Sequence, residues 1–195
     1  NTFSDALEGG FLPQPTDDYP NIDEVLSDLV DRSFKNGRST DTYLSEPKTN
    51  WQKLIRSNQF TGESLKKGDV LNEHKYSNHS EIVRKRFEYM IKNNGSIPDS
   101  LKTKKFAQRV LPAKWNDKGP NITACSLADD FVHFSQPRSL TVREWARLQT
   151  FPDWYLFAGK RTTGGIRRAG NPRESIFDRE LPKYTQIGNA VPVKL

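Results

Sequence analysis

The 195-residue chain contains one cysteine, Cys125. That excludes an internal disulfide framework and a zinc site built on several thiolates, and it points to an intracellular protein. Long apolar runs are also missing. No stretch approaches the roughly 18 apolar residues that a membrane-crossing helix needs. Residues 1–10 have neither the basic start nor the apolar run of a secretory leader. Apolar residues make up 34% of the chain and charged residues 28%, so a modest core and long exposed loops are expected. The length fits one mid-sized domain, or one lobe plus a piece of another. No internal repeat is visible. The chain starts at Asn1 rather than at a methionine and stops at Leu195 inside a pattern, which suggests part of a longer polypeptide.

Signatures of self-contained catalysis are as scarce. There is no phosphate-binding Walker loop and no Gly-x-Ser-x-Gly elbow. Gly164-Gly165 lacks the spacing of a dinucleotide fingerprint. His74 and His79 are five apart in a loop, with no cysteine or clustered carboxylate beside them. Turn or capping roles suit them better than zinc ligation, and no metal site is expected. Cys125 follows Ala124 in an apolar stretch and reads as a small packing residue rather than a nucleophile.

Charge is unevenly distributed. The first 32 residues hold eight acids (Asp5, Glu8, Asp17, Asp18, Asp23, Glu24, Asp28, Asp31) against Arg32, a balance of −7. The chain totals +6, so residues 33–195 carry +13. Two stretches concentrate it: 101–118, with six bases against Asp117, and 160–183, with seven bases against three acids. A basic body of this kind suits a polyanion such as nucleic acid, and equally a merely solvated surface.

Local signals outline the elements. Asn21–Val30 reads as a short helix with Ile22, Val25, Leu26 and Leu29 on one face. Thr49–Ile55 is a second, carrying Trp51, Leu54 and Ile55. Ser80 can cap a third over Ser80–Ile91, whose stripe is Ile82, Val83, Phe87, Met90 and Ile91, with Asn93-Asn94-Gly95 as a left-handed stop. Phe106–Val110 and Asn121–Ser126 look like short strands around a Gly119-Pro120 turn, and Phe131–Phe134 like another. Thr141 with Glu144 three residues on forms a capping box, followed by Trp145 and Leu148 and stopped at Phe151-Pro152-Asp153. Residues 160–182 read as a long exposed loop. Tyr184–Val193 reads as a strand, a turn at Gly188 and a helix start at Pro192.

Two segments carry a resemblance. Arg138-Ser-Leu-Thr-Val-Arg-Glu-Trp-Ala-Arg-Leu-Gln-Thr-Phe-Pro-Asp153, followed about thirty residues later by Gln186-Ile-Gly-Asn-Ala-Val-Pro192, strongly resembles the ninth and tenth motifs of the DNA cytosine-5 methyltransferase family. Weaker echoes run upstream, through Pro120–Ala124, Phe131–His133, Asn78-His79, Tyr43–Arg56 and Ile22–Leu29. The family's Pro-Cys nucleophile, its Glu-Asn-Val and Gln-x-Arg-x-Arg motifs and its Phe-x-Gly-x-Gly cofactor loop have no counterpart here. All of these normally precede the matched region. The chain therefore looks like the C-terminal part of such an enzyme: a natural subunit, an expressed domain, or a fragment.

The resemblance implies a mixed α+β fold. A small target-recognition lobe of short strands and loops (33–137) would follow an acidic connecting segment (1–32). The ninth-motif helix, the basic loop and the tenth motif (138–195) would close it, with terminal helices that belong to a Rossmann-like lobe. It implies S-adenosylmethionine as methyl donor, held mainly by the missing half. The partners would be double-stranded DNA, whose target cytosine is flipped out, and the N-terminal catalytic half. The setting would be the cytoplasm or nucleoid of a bacterial or phage-like restriction-modification system, with no membrane. Gly188, Asn189 and Ala190 would approach the cofactor. Arg138, Thr141, Arg143, Glu144 and Arg147 would organise the lobe: Arg138 pairs with Glu144, and Arg143 and Arg147, four apart, either join a packing network or meet phosphate. Thr123 would sit near the flipped nucleotide, and Lys104, Lys105, Gln108, Arg109, Arg161, Arg167 and Arg168 would face DNA, with Lys102 beside them. Alone, the chain would be inactive and would leave apolar surface exposed. A stand-alone DNA-binding module that has lost catalysis is the alternative.

Overall fold

A computed structural model describes residues 20–102, 108–114, 122, 127–162, 173, 175 and 180–192. The expectations on residues 1–19, Lys104, Lys105, Phe106, Thr123, Cys125, Arg167 and Arg168 lie outside them.

The apolar spacing that opens the described chain forms α1 (Ile22–Leu26), which tightens into a 3-10 turn over Ser27–Leu29. Ile22, Val25, Leu26 and Leu29 are all buried, as the stripe requires. The Glu24 carboxylate accepts the Asn21 amide at 2.7 Å and ties down the helix start. Helix α2 (Asn50–Arg56) has a capping box between Thr49 and Gln52. Buried Gln52 then donates to the Glu24 carbonyl (2.8 Å) and Ser27 Oγ (3.0 Å), which stitches α2 to α1. Helix α3 (Glu81–Lys92) is capped by Ser80. Phe87 and Met90 are buried, but Ile82, placed in the stripe by its apolarity, is 63% exposed. The buried row steps by three and four from Val83, and Ile82 lies one residue, about 100°, off it. The expected stop holds: Asn94 (φ 50°) and Gly95 (φ 82°) turn left-handed, and the Gly95 amide donates to the Met90 carbonyl at 2.7 Å.

The two described strands fall within the expected segments 106–110 and 131–134 but are shorter. Strand β1 is Arg109–Val110, and its partner is β2, Phe131–Val132, in parallel register Arg109↔Phe131 and Val110↔Val132. The Gly119-Pro120 turn and, apart from Ile122, the strand expected over Asn121–Ser126 lie outside the described residues. Helix α4 (Leu127–Asp130) lies in the connection from β1 to β2, and a crossover containing a helix lets both strands run the same way. After β2 the chain bends tightly, with the His133 amide donating to the Arg138 carbonyl at 2.8 Å. Helix α5 (Val142–Leu148) follows, with the Thr141–Glu144 capping box in place.

The C-terminal expectation is corrected. Lys183–Asn189 is a helix, α6, with Gly188 inside it and Pro192 beyond its end. Tyr184, Thr185 and Ile187 are buried on one face, and that packing outweighs the cost of about 1 kcal/mol for a glycine in a helix. Of the loop expected over 160–182, the described part is not simply exposed: Pro182 is buried and Arg161 half-buried.

One main core joins these pieces. Ile22, Leu26 and Leu29 of α1 and its turn pack with Tyr43, Ile55, Leu71, Leu111, Leu140, Trp145, Tyr184 and Ile187. Trp145 is fully buried and meets Phe131 edge-on at 5.8 Å; Leu148 and Phe151 flank the cluster half-buried. A smaller cluster of Phe87, Met90 and Val132 roots α3. The loops between α1 and α3 are held by isolated antiparallel bridges, Ser39↔Lys75, Thr42↔Val70 and Ser57↔Ser64. The fold is thus mixed, helices around a two-stranded sheet. Among the described residues no helix is long and apolar enough to cross a membrane.

Candidate functional site

Residues 138–147 form a buried polar scaffold. Arg138 meets the Glu144 carboxylate with two bonds, Nη1–Oε2 at 2.8 Å and Nη2–Oε1 at 2.6 Å, all of it buried. Glu144 also accepts the Thr141 amide at 2.8 Å, and Thr141 Oγ1 accepts the Glu144 amide at 3.2 Å. Burial alone would raise the Glu144 carboxyl pKa; the Arg138 guanidinium overcomes it and holds the group well below the usual carboxylate range.

His74 plugs into the same site. Its Nε2 lies 3.0 Å from the Leu29 carbonyl and its Nδ1 3.0 Å from Thr141 Oγ1. A carbonyl only accepts, so Nε2 carries the hydrogen and Nδ1 takes the Thr141 hydroxyl proton. This arrangement needs a neutral ring, and burial lowers the His74 pKa to about 4. His133, also fully buried, is lowered to about 3 by burial and by Arg138. His79 accepts the Ser139 amide at 3.2 Å and stacks edge-on against Phe87. His74 and His79 thus join distant segments, and among the described residues no group of three side chains that could hold a metal is found.

Arg147 enters a second buried cluster. It bonds Asp28 (Nη1–Oδ1 2.5 Å) and Asp153 (Nη2–Oδ2 2.6 Å; Nε–Oδ1 3.0 Å), and donates to the Val25 carbonyl. Asp28 is shared with Arg56, at 2.5 Å from Nη2 and 3.0 Å from Nε. Tyr43 donates its hydroxyl to Asp153 at 2.7 Å, and Arg56 stacks 3.9 Å over the Tyr43 ring. Burial opposes the charge on Arg147, but Asp153 and Asp28 raise its pKa above the ordinary value. Arg143 turns to carbonyls, those of Asn72, Pro152 and Tyr155, with Asp153 at 3.8 Å. Of the two open roles for Arg143 and Arg147, these partners and their burial match the packing network. Asp28, Arg56, Tyr43 and Asp153 were not expected as its members. The available signals were an acid inside an apolar stripe (Asp28) and one directly after Phe-Pro (Asp153).

This scaffold carries α6. The Tyr184 hydroxyl donates to the Leu140 carbonyl at 2.9 Å, Lys183 Nζ meets Glu73 at 2.5 Å, and Gln149 Nε2 donates to the Ala190 carbonyl at 2.5 Å. Held this way, α6 turns Ile187 inward and leaves Asn189 exposed, with Gly188 and Ala190 half-buried. Among the described residues no side chain or backbone group bonds the Asn189 amide.

The remaining candidate residues lie elsewhere. Arg109 is exposed on β1, 4.6 Å over the Phe131 ring, and Gln108 beside it is half-buried. Lys102 is exposed and paired with Asp99. Arg161 is turned back onto the body, donating to the Lys75 carbonyl at 3.1 Å and Ser77 Oγ at 2.6 Å. Some apolar surface is open: Phe60 and Leu156 are 87% and 64% exposed. Phe60 also lines a cavity of about 270 Å³ with Trp51, Leu54, Phe151 and Trp154.

Comparison with known proteins matches residues 12–195 to the model of the C-5 cytosine-specific DNA methylase family. The chain is 28% identical over 190 residues to the type II methyltransferase M.DdeI of Desulfomicrobium norvegicum, covering 90% of this chain and 40% of that protein. It is 32% identical over 126 residues to the type II methyltransferase M1.HphI of Haemophilus parahaemolyticus, covering 63% of this chain and 28% of that one. With the type II methyltransferase M.AquIB of a Picosynechococcus it shares 31% identity over 122 residues, 63% of this chain and 79% of the relative. The chain thus spans less than half the length of the first two relatives and most of the third. With the family model matched over residues 12–195, nearly the whole chain, this protein belongs to the C-5 cytosine-specific DNA methylase family.

Proposed function

We propose that this chain is the DNA-recognition and cofactor-wall part of a DNA cytosine-5 methyltransferase of restriction-modification type, and that it works with a separate or upstream catalytic half. The observation that carries this is the α5–α6 scaffold. It presents Asn189 outward, while the sole cysteine follows Ala124 rather than a proline, so the chain offers a wall without a nucleophile. The 40% share of M.DdeI fits a chain that is one part of a longer machine. The 79% share of M.AquIB fits a part of about this length existing by itself.

In this reading residues 33–137 form the recognition lobe, 1–32 connect it to the catalytic half, and 138–195 close the cofactor side. S-adenosylmethionine, bound mainly by the other half, supplies the methyl group for C5. Gly188, Asn189 and Ala190 fit one edge of its site: Asn189 offers a free amide that donates and accepts, and Gly188 leaves room for close approach. The partner's thiolate adds to C6 of the cytosine and leaves again once C5 has been methylated and has lost its proton. Attack at C6 is blocked inside the base stack, so the cytosine must be flipped out. Arg109 and Gln108, with Lys104, Lys105, Thr123, Arg167 and Arg168, are the residues proposed to face DNA. Arg can take guanine bidentately and Gln adenine, while most basic residues meet phosphate. Arg161 could join them only by releasing Lys75 and Ser77.

The test is to mix the chain with a separately made catalytic half and follow transfer of labelled methyl groups to cytosine in duplex DNA. Transfer by the mixture and by neither part alone is expected. Association and DNA binding without transfer would favour a stand-alone binding module. Affinity for DNA that fails to fall between low and high salt would overturn the basic-lobe assignment.

A further inference from the structure

Helix α6 is tied to the rest of the protein along its length, and the ties are not equivalent: in its middle the Gln186 amide donates to the Ala158 carbonyl at 2.9 Å. Lys183–Glu73 fixes its first residue and Tyr184–Leu140 its first turn. Among the described residues it is Gln149 that hydrogen-bonds its far end, where its amide meets the carbonyl of Ala190, the residue that caps α6. Carbonyls at the end of a helix lack intrahelical partners, so this one bond decides how the last turn lies. Seven residues of helix separate the two ends, a rise of about 10 Å. The Lys183 tie is thus too remote to set the orientation of Asn189.

Gln149 is itself the C-cap of α5, 5% exposed, with its backbone amide bonded to the Trp145 and Ala146 carbonyls. Its backbone belongs to the arginine-framed scaffold and its side chain to the closing motif. The geometry points to Gln149 as the positioning residue that couples the recognition scaffold to the cofactor wall: it holds Asn189 and Ala190 at the place where S-adenosylmethionine is met. Gln149 touches neither cofactor nor base and acts through the α6 end. This inference rests on the proposed function.

The experiment uses the full chain mixed with its catalytic half and compares wild type with Gln149→Leu, which keeps the size and removes the donor. KM for S-adenosylmethionine should rise about tenfold, the order expected when one buried hydrogen bond is lost. KM for DNA should change less than twofold, and the thermal midpoint of the chain should stay within a few degrees. If Gln149→Leu fails to fold, Gln149→Asn, whose amide stops one methylene short, should show the same split at smaller amplitude. An unchanged KM for the cofactor overturns the inference. So does a rise in both KM values in step with thermal destabilisation, which is the signature of a merely structural role. A wild-type mixture that transfers no methyl groups overturns the reading beneath it and the inference with it, a result distinct from the other two.

Discussion

Around α5, Arg138, Arg143, Arg147 and, from α2, Arg56 are fully buried, whereas Arg109 on β1 and Lys85 on α3 stand in solvent. The local spacing does not separate the two groups. Arg143 and Arg147 are four apart on a helix, and so are Glu81 and Lys85, which pair across the open face of α3 at 2.8 Å. For Arg56 and Arg147 what separates them is an acid that arrives from elsewhere, Asp28. Asp28 reaches Arg147 across 119 positions of chain, and Asp153 closes the other side. A buried ion is tolerable only with its partner in place, while an exposed pair is largely replaced by water and salt. The basic charge of this protein is therefore divided: one part organises the core, and the other stays at the surface.

The sharpest way to break this contrast is Asp28→Asn. It leaves Arg56 and Arg147 buried beside a neutral amide and should cost about 3–5 kcal/mol, read from the urea midpoint of unfolding. Protons probe the same interior. His74 and His133 have folded pKa values near 4 and 3 against an ordinary 6.5, so the unfolded chain takes up protons first as pH falls. Stability should be complete above pH 6.5 and decline as pH falls from there toward 4; the carboxylates contribute only below about 4.5. The urea midpoint measured from pH 7 to 4.5 should fall, and His74→Gln should flatten the slope. Next in size is Thr141→Ala, which removes a helix cap and the hydroxyl that faces His74. It should cost about 1–2 kcal/mol in the same assay. The smallest effect on stability belongs to the exposed side. Arg109→Ala should shift unfolding by less than about 0.5 kcal/mol. In DNA titrations across salt concentrations it should weaken binding and, if Arg109 meets a phosphate, lower the salt slope by about 1.

Elements whose cause is local were readable from the residues. The capping box at Thr141, the left-handed stop at Asn94-Gly95 and the apolar face of α1 are settled within four residues of chain, and all are in the structure. The Arg138–Glu144 pair belongs with them, six positions apart. Elements with distant causes were not readable. The partner of β1 was decided by a helical connection that turned the chain parallel. Helix α6 forms through Gly188 because Tyr184 and Ile187 are buried against α5, a gain that local propensity does not register. His74 gave no sign that its two nitrogens would meet Leu29 and Thr141, 45 and 67 positions away.

By itself the sequence determined the kinship, the short helices with their caps and the division into an acidic head and a basic body, because each rests on residue type and short spacing. The tertiary structure decided which arginines are spent inside and which remain outside, and how the last helix is held so that Asn189 faces outward. Both depend on desolvated partners that meet only when segments about 40 to 120 residues apart fold against one another.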